Sequence, residues 1–294
     1  MAREDIVGDL EVSVLICTSN RADSLALTLR SLERMSVTPG REWEVVVIDD
    51  GSTDHTPAVL RDHAARLPLR FVSQRRGGLA RARNAALAAA RGRLILVTDD
   101  DCRVSPDWMA VAVRELADHP MQLIGGRVEL GDPSDLPLAI KTSTVRESLT
   151  SVAGLWGFIH GANMAFGRCV VDRVGPFDGR FGAGAGLRSA EDTEFAYRVL
   201  KAGIPIHYEP DLLVHHFHGR RGPGIWYRQV GDHAFGFGAM AAKYALRRDF
   251  GLARAVYWDM RSTLRANDWR RVRAKLKGLA GAARFLTMRN RAAE

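Results

Sequence analysis

The stretch Val45–Asp54, VVVIDDGSTD, sets the fold, because four consecutive β-branched residues lead directly into two acids and a glycine. A short apolar run of this kind predicts a buried strand, here Glu44–Ile48, and the polar residues after it predict a turn. Thr53 or Asp54 is suited to cap a helix over Thr53–Leu67. The stretch therefore predicts a strand–turn–helix unit.

The same unit recurs on both sides of this stretch. Further strands are predicted at Val12–Cys17, Leu69–Ser73 and Leu94–Thr98, and further helices at Ser24–Met35 and Gly78–Ala90. Apolar strands that alternate with helical crossovers predict an α/β fold, a mostly parallel sheet with helices on both faces. Ligands of such sheets bind beyond the carboxyl ends of the strands, so the polar residues there are candidate site residues.

The remaining chain is less regular. We predict helices at Pro106–His119 and Glu191–Ala202, a strand at Gln122–Leu130 broken by Gly125-Gly126, a short strand or turn at Gly161–Phe166, and a last short strand at Ile204–Tyr208. Gly131–Ser151 is polar with two prolines and is predicted to be irregular, whereas the glycine-rich Phe181–Ser189 is predicted to be a flexible loop. From Ile225 onward the pattern is helical and basic. We expect a catalytic domain over 1–220 and a helical C-terminal extension over 221–294.

Composition indicates an ordinary globular protein, with 46% hydrophobic and 26% charged residues among 294. Cys17, Cys102 and Cys169 are isolated from one another, which favours a reducing compartment and argues against a zinc knuckle or redox pair. The N-terminus lacks the apolar core of a secretory signal, and no run approaches the roughly 18 apolar residues of a spanning helix. We therefore expect a cytoplasmic location.

The net charge of +8 is concentrated at the C-terminus, where Arg261–Glu294 contains ten basic and two acidic residues. The rest of the chain is close to neutral, which argues against a nucleic-acid partner. Apolar side chains that could serve as membrane anchors lie in or just before this stretch: Tyr257, Trp258, Trp269, Leu276, Leu279, Phe285 and Leu286. Two interpretations stay open, a peripheral contact with the anionic inner face of the plasma membrane and an amphipathic cover on the catalytic domain.

Three adjacent acids, Asp99, Asp100 and Asp101, follow the strand predicted at Leu94–Thr98. Neighbouring carboxylates repel unless a cation or donor compensates them, and Mg²⁺ typically takes one or two carboxylates together with substrate phosphates. In an extended segment, Asp99 and Asp101 would point one way and Asp100 the other. A solvated turn or capping cluster is the alternative, but the position at a strand's carboxyl end favours a metal site.

Two further segments are candidates for nucleotide binding. The acids that follow the second strand can accept hydrogen bonds from a base or ribose, although they could equally be turn and cap residues. Arg75–Asn84, RRGGLARARN, starts a helix whose free N–H groups can receive phosphate. It lacks the spacing of a P-loop, so a capped helix with a solvated basic face is an equal alternative.

Two clusters in the second half carry candidate catalytic chemistry. Glu191 and Asp192 open a helix, where acids are favoured by the helix dipole, but a carboxylate there could also accept a proton from an attacking hydroxyl. His215, His216 and His218 fall within four residues. One of these imidazoles could complete a metal site, or the three could form a surface cluster.

Taken in order, these segments resemble family 2 glycosyltransferases, whose catalytic domain has the GT-A fold. The resemblance runs from Glu11 to Arg220 and rests on VSVLICTSNRADSL, VVVIDDGSTD, GGLARARN, LVTDDDC, HGANMAFGR with VGPFDGRF, and SAEDTEFAYRVLKAG. LVTDDDC is similar to the metal-binding DxD segment of the family, and SAEDTEFAYRVLKAG to its ED motif. The shared order and spacing of the segments are more specific than any one of them. Cys17 departs from the family, which often has proline there.

The resemblance implies binding roles at the matched positions. It puts Thr18, Asn20, Arg21, Asp50, Arg83 and Asp99 at the nucleotide, and Gly161, Ala162 and Asn163 at the sugar. Among the nucleotide contacts, Asp50 would read the base and Asp99 would lie near the ribose.

The resemblance also implies the metal ligands and the catalytic pair. Asp101 and His215 would bind Mg²⁺ or Mn²⁺ with the diphosphate, and the two later histidines compete with His215 for this place. Asp192 would be the general base, and Glu191 would help to orient the sugar or acceptor.

The resemblance implies an inverting, metal-dependent glycosyltransferase of the hexosyltransferase type. It would move a sugar from a nucleotide-diphosphate donor to a hydroxyl of a carbohydrate or lipid-linked acceptor, in cell-envelope or exopolysaccharide synthesis. A sugar-1-phosphate nucleotidylyltransferase is one alternative, but it needs a glycine-rich basic signature that CTSNRADSL does not supply. A non-catalytic nucleotide-binding protein is the other, which Asp101 and Asp192 disfavour.

Overall fold

The computed structural model describes residues 10–37 and 40–291. The N-terminal segment examined for a signal and the last three residues of the predicted extension lie outside them. The strands are β1 (Val12–Thr18), β2 (Trp43–Asp50), β3 (Leu69–Gln74), β4 (Leu94–Thr98), β5 (Cys102–Val104), β6 (Leu123–Leu130), β7 (Glu147–Ser148), β8 (Asn163–Gly167) and β9 (Ile206–His216). The helices are α1 (Ala22–Glu33), α2 (Thr56–Ala64), α3 (Leu79–Ala89), α4 (Trp108–Leu116), α5 (Arg168–Val174), α6 (Glu191–Lys201), α7 (Pro223–Ala245), α8 (Gly251–Arg265), α9 (Trp269–Lys275) and α10 (Lys277–Arg291).

The strands form one mixed sheet in the order β3-β2-β1-β4-β8-β6-β9-β5, and β7 adds to β9. Strands β1 to β4 pair in parallel, as β9 does with β6, whereas β8 runs antiparallel to β4 and β6. The predicted α/β class, with a mostly parallel sheet and C-terminal helices, is confirmed. The parallel half brings the carboxyl ends of β1, β2 and β4 to one edge of the sheet.

The side chains of β2 point alternately to the two faces of the sheet, and this explains why helices cover both faces. Val45 and Val47 belong to the apolar cluster on one face, and Val46 and Ile48 to the cluster on the other. Successive strand residues point to opposite faces, so a strand of four apolar residues needs cover on both sides. Burying each such side chain contributes about 1.5–3 kcal/mol, which makes this core the main source of stability.

Helix α2 begins at Thr56, three residues later than predicted. The side chain of Asp54 accepts hydrogen bonds at Oδ1 from the Thr56 N–H, at 3.0 Å, and from the Thr56 hydroxyl, at 2.6 Å. These bonds satisfy donors at the helix start. The N-cap position itself is His55, so Asp54, one of the two predicted caps, holds the helix start from one residue earlier.

Strand β6 continues through the glycines that were predicted to break it. A Cβ on Gly126 would collide with the side-chain amide of Asn163, so glycine is required there by close packing rather than by a turn. The pairing register of β6 with β9 shifts just after this point, between Gly126 and Arg127. The glycine pair that predicted a break therefore marks a β-bulge inside a continuous strand.

Strand β9 is eleven residues long, and the prediction of a short strand at Ile204–Tyr208 was wrong. Glu209 pairs with Gly126, whereas Leu213 pairs with Arg127, so Pro210 falls in the irregular part of the ladder. Proline has no N–H to donate, and a bulge is where a strand tolerates it. The strand therefore extends to the histidines, two of which lie within it.

The C-terminal helices pack on each other, and α7 also packs on one of the two apolar core clusters. Buried side chains of α7, including Phe235 and Met240, belong to the same apolar cluster as the core. Helix α10 lies against α7 so closely that a Cβ on Gly238 or Gly281 would collide with backbone of the other helix. The division at 220/221 stays a prediction. None of the helices in the described part of the chain is long and apolar enough to cross a bilayer.

Candidate active site

A cavity of about 700 Å³ opens where β1, β2 and β4 end. It collects most of the predicted site residues: Thr18, Arg21, Asp50, Arg83, Asp99, Asp101, Gly161, Ala162, Glu191 and Asp192. The acids after the fourth strand and the pair that opens α6 therefore share one cavity, although about ninety residues separate them along the chain.

Asp50 holds the turn that leads into α3. Its Oδ1 accepts hydrogen bonds from Gly77 N, at 2.8 Å, and from Gln74 Nε2, at 2.7 Å, and its Oδ2 accepts one from Gly78 N, at 2.8 Å. Gly78 has a φ of +88°, a conformation that glycine adopts without strain. The carboxylate predicted to read the base thus also shapes the glycine turn on the cavity wall.

The acid triplet is a turn, not the extended segment expected from the sequence. Asp100 accepts from the Thr18 hydroxyl at 2.7 Å and pairs with Arg21 at 3.1 Å. Asp101 pairs with the same guanidinium at 2.9 Å. The two neighbouring carboxylates therefore converge on Arg21, and the third, Asp99, is the one that points elsewhere.

Asp100 and Asp101 share Arg21 but differ in pKa. Burial, opposed by the charge of Arg21, raises the pKa of Asp100 to about 7. Burial would also raise the pKa of Asp101, but hydrogen bonds and charge from His216 and Arg21 hold it below its ordinary value. Asp101 is therefore the carboxylate that stays ionised.

His216, and not His215, lies beside Asp101. Its Nε2 is 3.2 Å from Asp101 Oδ1, and both side chains are almost fully buried. His215 points to the other side of β9, is 43% exposed and lies 3.7 Å from Glu129. Adjacent strand residues face opposite ways, so a site that takes one of them excludes the other. The structure places His216 beside Asp101, where the sequence predicted His215.

His218 lies in the loop that follows β9, and both of its ring nitrogens have hydrogen-bond partners. Its Nε2 lies 3.0 Å from the carbonyl oxygen of Leu136, and its Nδ1 accepts from Arg220 N at 3.0 Å. Its ring meets the ring of His216 edge-on, with centroids 5.0 Å apart. His218 therefore supports His216 from behind.

The donor set at Asp101 fits a divalent cation. Donor atoms of Asp101, Cys102 and His216 lie within 4.8 Å of one another, and His216 Nδ1 is buried without a partner among the described residues. Burial holds the pKa of the Cys102 thiol well above its ordinary value, so the sulfur stays protonated. One carboxylate and one imidazole would leave room for phosphate and water ligands, as Mg²⁺ and Mn²⁺ sites require.

Arg83 joins the two halves of the cavity. Its guanidinium, 2% exposed, donates to Asp99 at 3.0 Å and to Glu191 at 2.8 Å. Burial favours loss of its charge, but these carboxylates hold its pKa above the ordinary value. A Cβ on Gly161 would collide with the guanidinium, which explains the glycine at this predicted sugar position.

Asp192 differs from its neighbour Glu191. Burial and the charge of Asp192 raise the pKa of Glu191 to about 7, and Glu191 is paired with Arg83. Asp192 accepts hydrogen bonds from Gly161 N, at 2.8 Å, and from Thr193 N, at 2.6 Å. Among the described residues, none with a basic side chain forms an ion pair with it. Its carboxylate is oriented by neutral donors and faces the cavity.

Two predicted binding residues lie outside the cavity lining. Asn163 is fully buried, and its side-chain amide is consumed by Trp108 Nε1 at 2.9 Å and by two backbone carbonyls. Asn20, in a left-handed conformation, accepts from Thr53 N at 2.7 Å and ties the first loop to the second. The structure thus places the Asn163 amide in the scaffold and away from the cavity, whereas a contact between Asn20 and the nucleotide stays a prediction.

Sequence reasoning missed the wall that α7 adds. Gln229, Asp232 and His233 line the cavity from one face of this helix, and His160 lines it from the loop before β8. The three α7 residues stand at i, i+3 and i+4, a polar face in an otherwise apolar helix, and this spacing could have revealed them. Burial lowers the pKa of both His160 and His233, which favours neutral imidazoles near Asp192.

The glycine-rich loop predicted at Phe181–Ser189 docks against α7. Arg188 Nη1 donates to Asp232 Oδ1 at 2.9 Å, and Ser189 Oγ donates to the Asp232 carbonyl oxygen at 2.8 Å. The loop also reaches α3, because Leu79 N donates to the carbonyl oxygen of Ala183 at 2.9 Å. The loop is therefore tied by hydrogen bonds to both α7 and α3.

Comparison with known proteins agrees with this geometry. A family model described as glycosyl transferase family 2 matches residues 13–169, more than half of the chain. The chain is 27% identical over 241 residues to chondroitin synthase of Escherichia coli, covering 70% of this chain and 34% of that one. It is 26% identical over 212 residues to the glycosyltransferase AglE of Haloferax volcanii, covering 69% and 65%. The chain thus spans less than two thirds of either relative.

Solved structures show the same fold. The mannosyltransferase PcManGT of Pyrobaculum calidifontis, in complex with GDP-Man and Mn²⁺, superposes with a TM-score of 0.63 at 24% identity, covering 96% of this chain and 79% of that chain. TarS of S. aureus, residues 1–349 in complex with UDP-GlcNAc, gives 0.58 at 19% identity, covering 80% and 71%. Both are structural neighbours with the GT-A fold. The chain therefore belongs to glycosyl transferase family 2 and has the GT-A fold.

Proposed function

We propose that the protein transfers a sugar from a nucleotide-diphosphate sugar to an acceptor hydroxyl, with inversion at the anomeric carbon and with Mg²⁺ or Mn²⁺. One observation carries the proposal. Asp192 faces the same cavity as Asp101 and His216, and it is held by backbone and hydroxyl donors instead of a basic side chain.

Asp192 acts as the general base in this proposal. Its Oδ2, oriented by Gly161 N, takes the proton of the acceptor hydroxyl as the oxygen attacks the anomeric carbon. Attack and departure of the diphosphate occur on opposite faces of the sugar, so one displacement inverts the configuration. Glu191 takes no proton from the acceptor, because it is buried against Arg83.

Asp101 and His216 would hold the cation at the other end of the cavity. When bound, a divalent cation stabilises the negative charge that develops on the departing diphosphate. Arg21 now compensates Asp101 and is 39% exposed, so it can turn toward a phosphate when a cation takes its place. Thr18 and Asp50 would contact the nucleotide.

The experiment is the release of nucleoside diphosphate from a panel of nucleotide sugars with Mn²⁺. We expect release with at least one donor, and strong loss in Asp192→Asn. Proton NMR of the first sugar released should show the anomer opposite to that of the donor. A product that retains the donor configuration would contradict the single displacement.

Asp211→Asn is the matched control, because Asp211 is 69% exposed and lies outside the cavity. It should leave the release rate unchanged. Release of pyrophosphate from a nucleoside triphosphate and a sugar phosphate would instead favour a nucleotidylyltransferase. Nucleotide binding without any turnover would favour a non-catalytic protein.

The acceptor is proposed to be a carbohydrate or a lipid-linked sugar. Relatives of this chain are named for such products, among them a dodecaprenyl-phosphate galacturonate synthase of Rhizobium johnstonii, 34% identical over 125 residues, which cover 42% of this chain and 37% of that one. Chondroitin synthase is a second relative of this kind. They support a role in polysaccharide synthesis.

A contact with an anionic membrane completes the proposal. Most exposed large apolar side chains of the described residues lie on the C-terminal helices or in the turns between them, with Trp258 47%, Trp269 61% and Leu279 72% exposed. Exposed arginines accompany them, among them Arg265 and Arg271. Exposed tryptophan and leucine beside unpaired positive charge are the features of an interfacial surface.

Flotation with vesicles tests this contact. The protein should float with phosphatidylglycerol vesicles and stay in the dense fraction with phosphatidylcholine alone. The double variant Trp269→Ser and Leu279→Ser should no longer float. Met121→Ser, at an apolar residue 43% exposed outside this surface, is the matched control. Equal flotation of all proteins would contradict the proposed surface.

A further inference from the structure

A second cavity of about 290 Å³ adjoins the first and has no role in donor binding or proton transfer. It lies in the segment predicted to be irregular and is bordered by Lys141, Glu147, Ser148, Trp156, Gly157 and Phe158, among others. We propose that this cavity is a subsite for a second sugar unit of the acceptor, so that the enzyme extends a saccharide and not a single sugar. This inference rests on the proposed function.

Two contacts connect the small cavity to the large one. Gly157 lines both, and its φ of +70° turns the chain between them. Trp156 lines the small cavity and packs on Phe237, which lines the large one, with ring centroids 4.2 Å apart. A ligand in one cavity is therefore next to a ligand in the other.

The connection is on the side of the proposed base. The four residues after Gly157 lead to Gly161, whose N–H orients Asp192. Four residues span at most roughly 14 Å, which is comparable to two linked hexose rings. An acceptor whose terminal hydroxyl meets Asp192 would thus extend its next sugar toward the small cavity.

The lining of the small cavity is suited to a neutral, hydroxyl-rich ligand. The Lys141 ammonium pairs with Glu147 at 2.9 Å and lies 4.4 Å from the centre of the Phe158 ring, so it is fixed and its charge is compensated. Trp156 offers an apolar ring face, and Ser148 and Ser151 offer hydroxyls at the rim. An aromatic face with a few fixed polar groups fits a sugar ring better than a phosphate, which would need surplus positive charge.

The test compares disaccharides with monosaccharides. Saturation-transfer NMR and titration calorimetry would be run with UDP, GDP and Mn²⁺ on maltose, cellobiose, lactose and chitobiose and on their component sugars. At least one disaccharide should bind more tightly than its components. We expect Trp156→Ala to weaken that disaccharide by roughly tenfold and to leave the monosaccharides unchanged, as the loss of one aromatic contact implies.

Controls separate this subsite from folding and from the proposed function. Trp226→Ala removes another half-buried tryptophan, which borders neither cavity, and should leave the binding of every sugar in the panel unchanged. Glu147→Gln, at a side chain 39% exposed, should lower the disaccharide preference even if Trp156→Ala fails to fold. Release of nucleoside diphosphate without acceptor, measured in parallel, tests the transferase proposal alone.

Two results would overturn the subsite. One is a panel in which no disaccharide exceeds its components, while nucleoside diphosphate release proceeds normally. The other is a disaccharide preference that survives both Trp156→Ala and Glu147→Gln.

Discussion

The two carboxylate pairs that face the large cavity are compensated in different ways. Asp100 and Asp101 converge on one guanidinium, Arg21, and Asp101 has a histidine as a second partner. In the other pair, Glu191 takes a buried arginine and Asp192 takes neutral donors. Glu191 and Asp192 are therefore adjacent carboxylates of which one is paired with a cation and the other is not, whereas Asp100 and Asp101 share theirs.

This difference divides the chemistry between the two ends of the cavity. A carboxylate surrounded by cationic groups keeps its negative charge and gives up a proton easily, which suits a cation ligand. A carboxylate held by neutral donors beside the cavity is free to accept a proton from a bound hydroxyl. The same aspartate-to-asparagine substitution should therefore affect metal binding at the Asp101 end of the cavity and proton transfer at the Asp192 end.

The largest expected effect is on turnover, in a pair of aspartate-to-asparagine variants. Asp192→Asn should lower transfer by roughly 10²–10⁴-fold, the usual contribution of a general base, and leave Mn²⁺ binding intact. Asp101→Asn should lose Mn²⁺ binding as well as transfer. Calorimetric titration with Mn²⁺ and UDP, beside the rate assay, checks both. If both variants lose Mn²⁺ binding equally, the division between the ends is wrong.

The next effect concerns the support of α6, which carries the base. Lys243 on α7 donates to Glu194 at 2.5 Å and pairs with Asp178 at 2.9 Å, and it is almost fully buried. Lys243→Met removes the buried cation that the two carboxylates share, so that Asp178 keeps only Arg180 and Glu194 only Arg198 as cationic partners. Because part of the buried charge stays compensated, the protein should lose about 3 kcal/mol, the low end for a broken buried pair. Urea unfolding measures the loss. Lys201→Met, at a side chain 54% exposed that pairs with Asp249, is the control and should cost about 1 kcal/mol or less.

The same variant has a predictable pH dependence. Burial would raise the pKa of Asp178, but Arg180 and Lys243 hold it below its ordinary value. A depressed carboxyl pKa adds stability above the unfolded value and loses it as the pH falls through the folded value. The stability difference between wild type and Lys243→Met should therefore be largest near pH 7 and shrink below about pH 4. A difference that grows in acid would contradict this assignment.

A smaller effect distinguishes the adjacent histidines. His216→Ala should raise the Mn²⁺ concentration for half-maximal activity by roughly 10–100-fold. His215→Ala, on the opposite side of β9, should leave it unchanged. Mn²⁺ titration of the initial rate measures both. Equal shifts, or a shift only in His215→Ala, would restore the interpretation drawn from the sequence.

The parallel half of the fold was predictable from local pattern. Val45–Ile48 is apolar throughout, its counterparts are mainly apolar, and each is followed by polar residues, so the strands and the site edge could be placed without a structure. That Asp101 and Asp192 line one cavity was also predictable, because strand ends and helix starts fix their positions in space, whereas their roles stay predictions.

The second half depends on contacts that no local pattern contains. The choice between His215 and His216 is set by the register of β9, which in turn depends on a bulge opposite Pro210. Asn163 looks like a binding residue, yet its amide is consumed by Trp108 and by backbone carbonyls brought from distant strands. Gln229, Asp232 and His233 line the cavity only because the opposite face of α7 packs on the core, and the sequence does not show which face does so.

Anomalous diffraction from crystals grown with Mn²⁺ and UDP tests the central claim most directly, that one cavity holds both the cation site and the base. We expect a manganese peak within coordination distance of Asp101 and His216, with the diphosphate in the large cavity and Asp192 facing it across open space. A peak beside His215 and Glu129, or a nucleotide bound away from Asp192, would contradict the account.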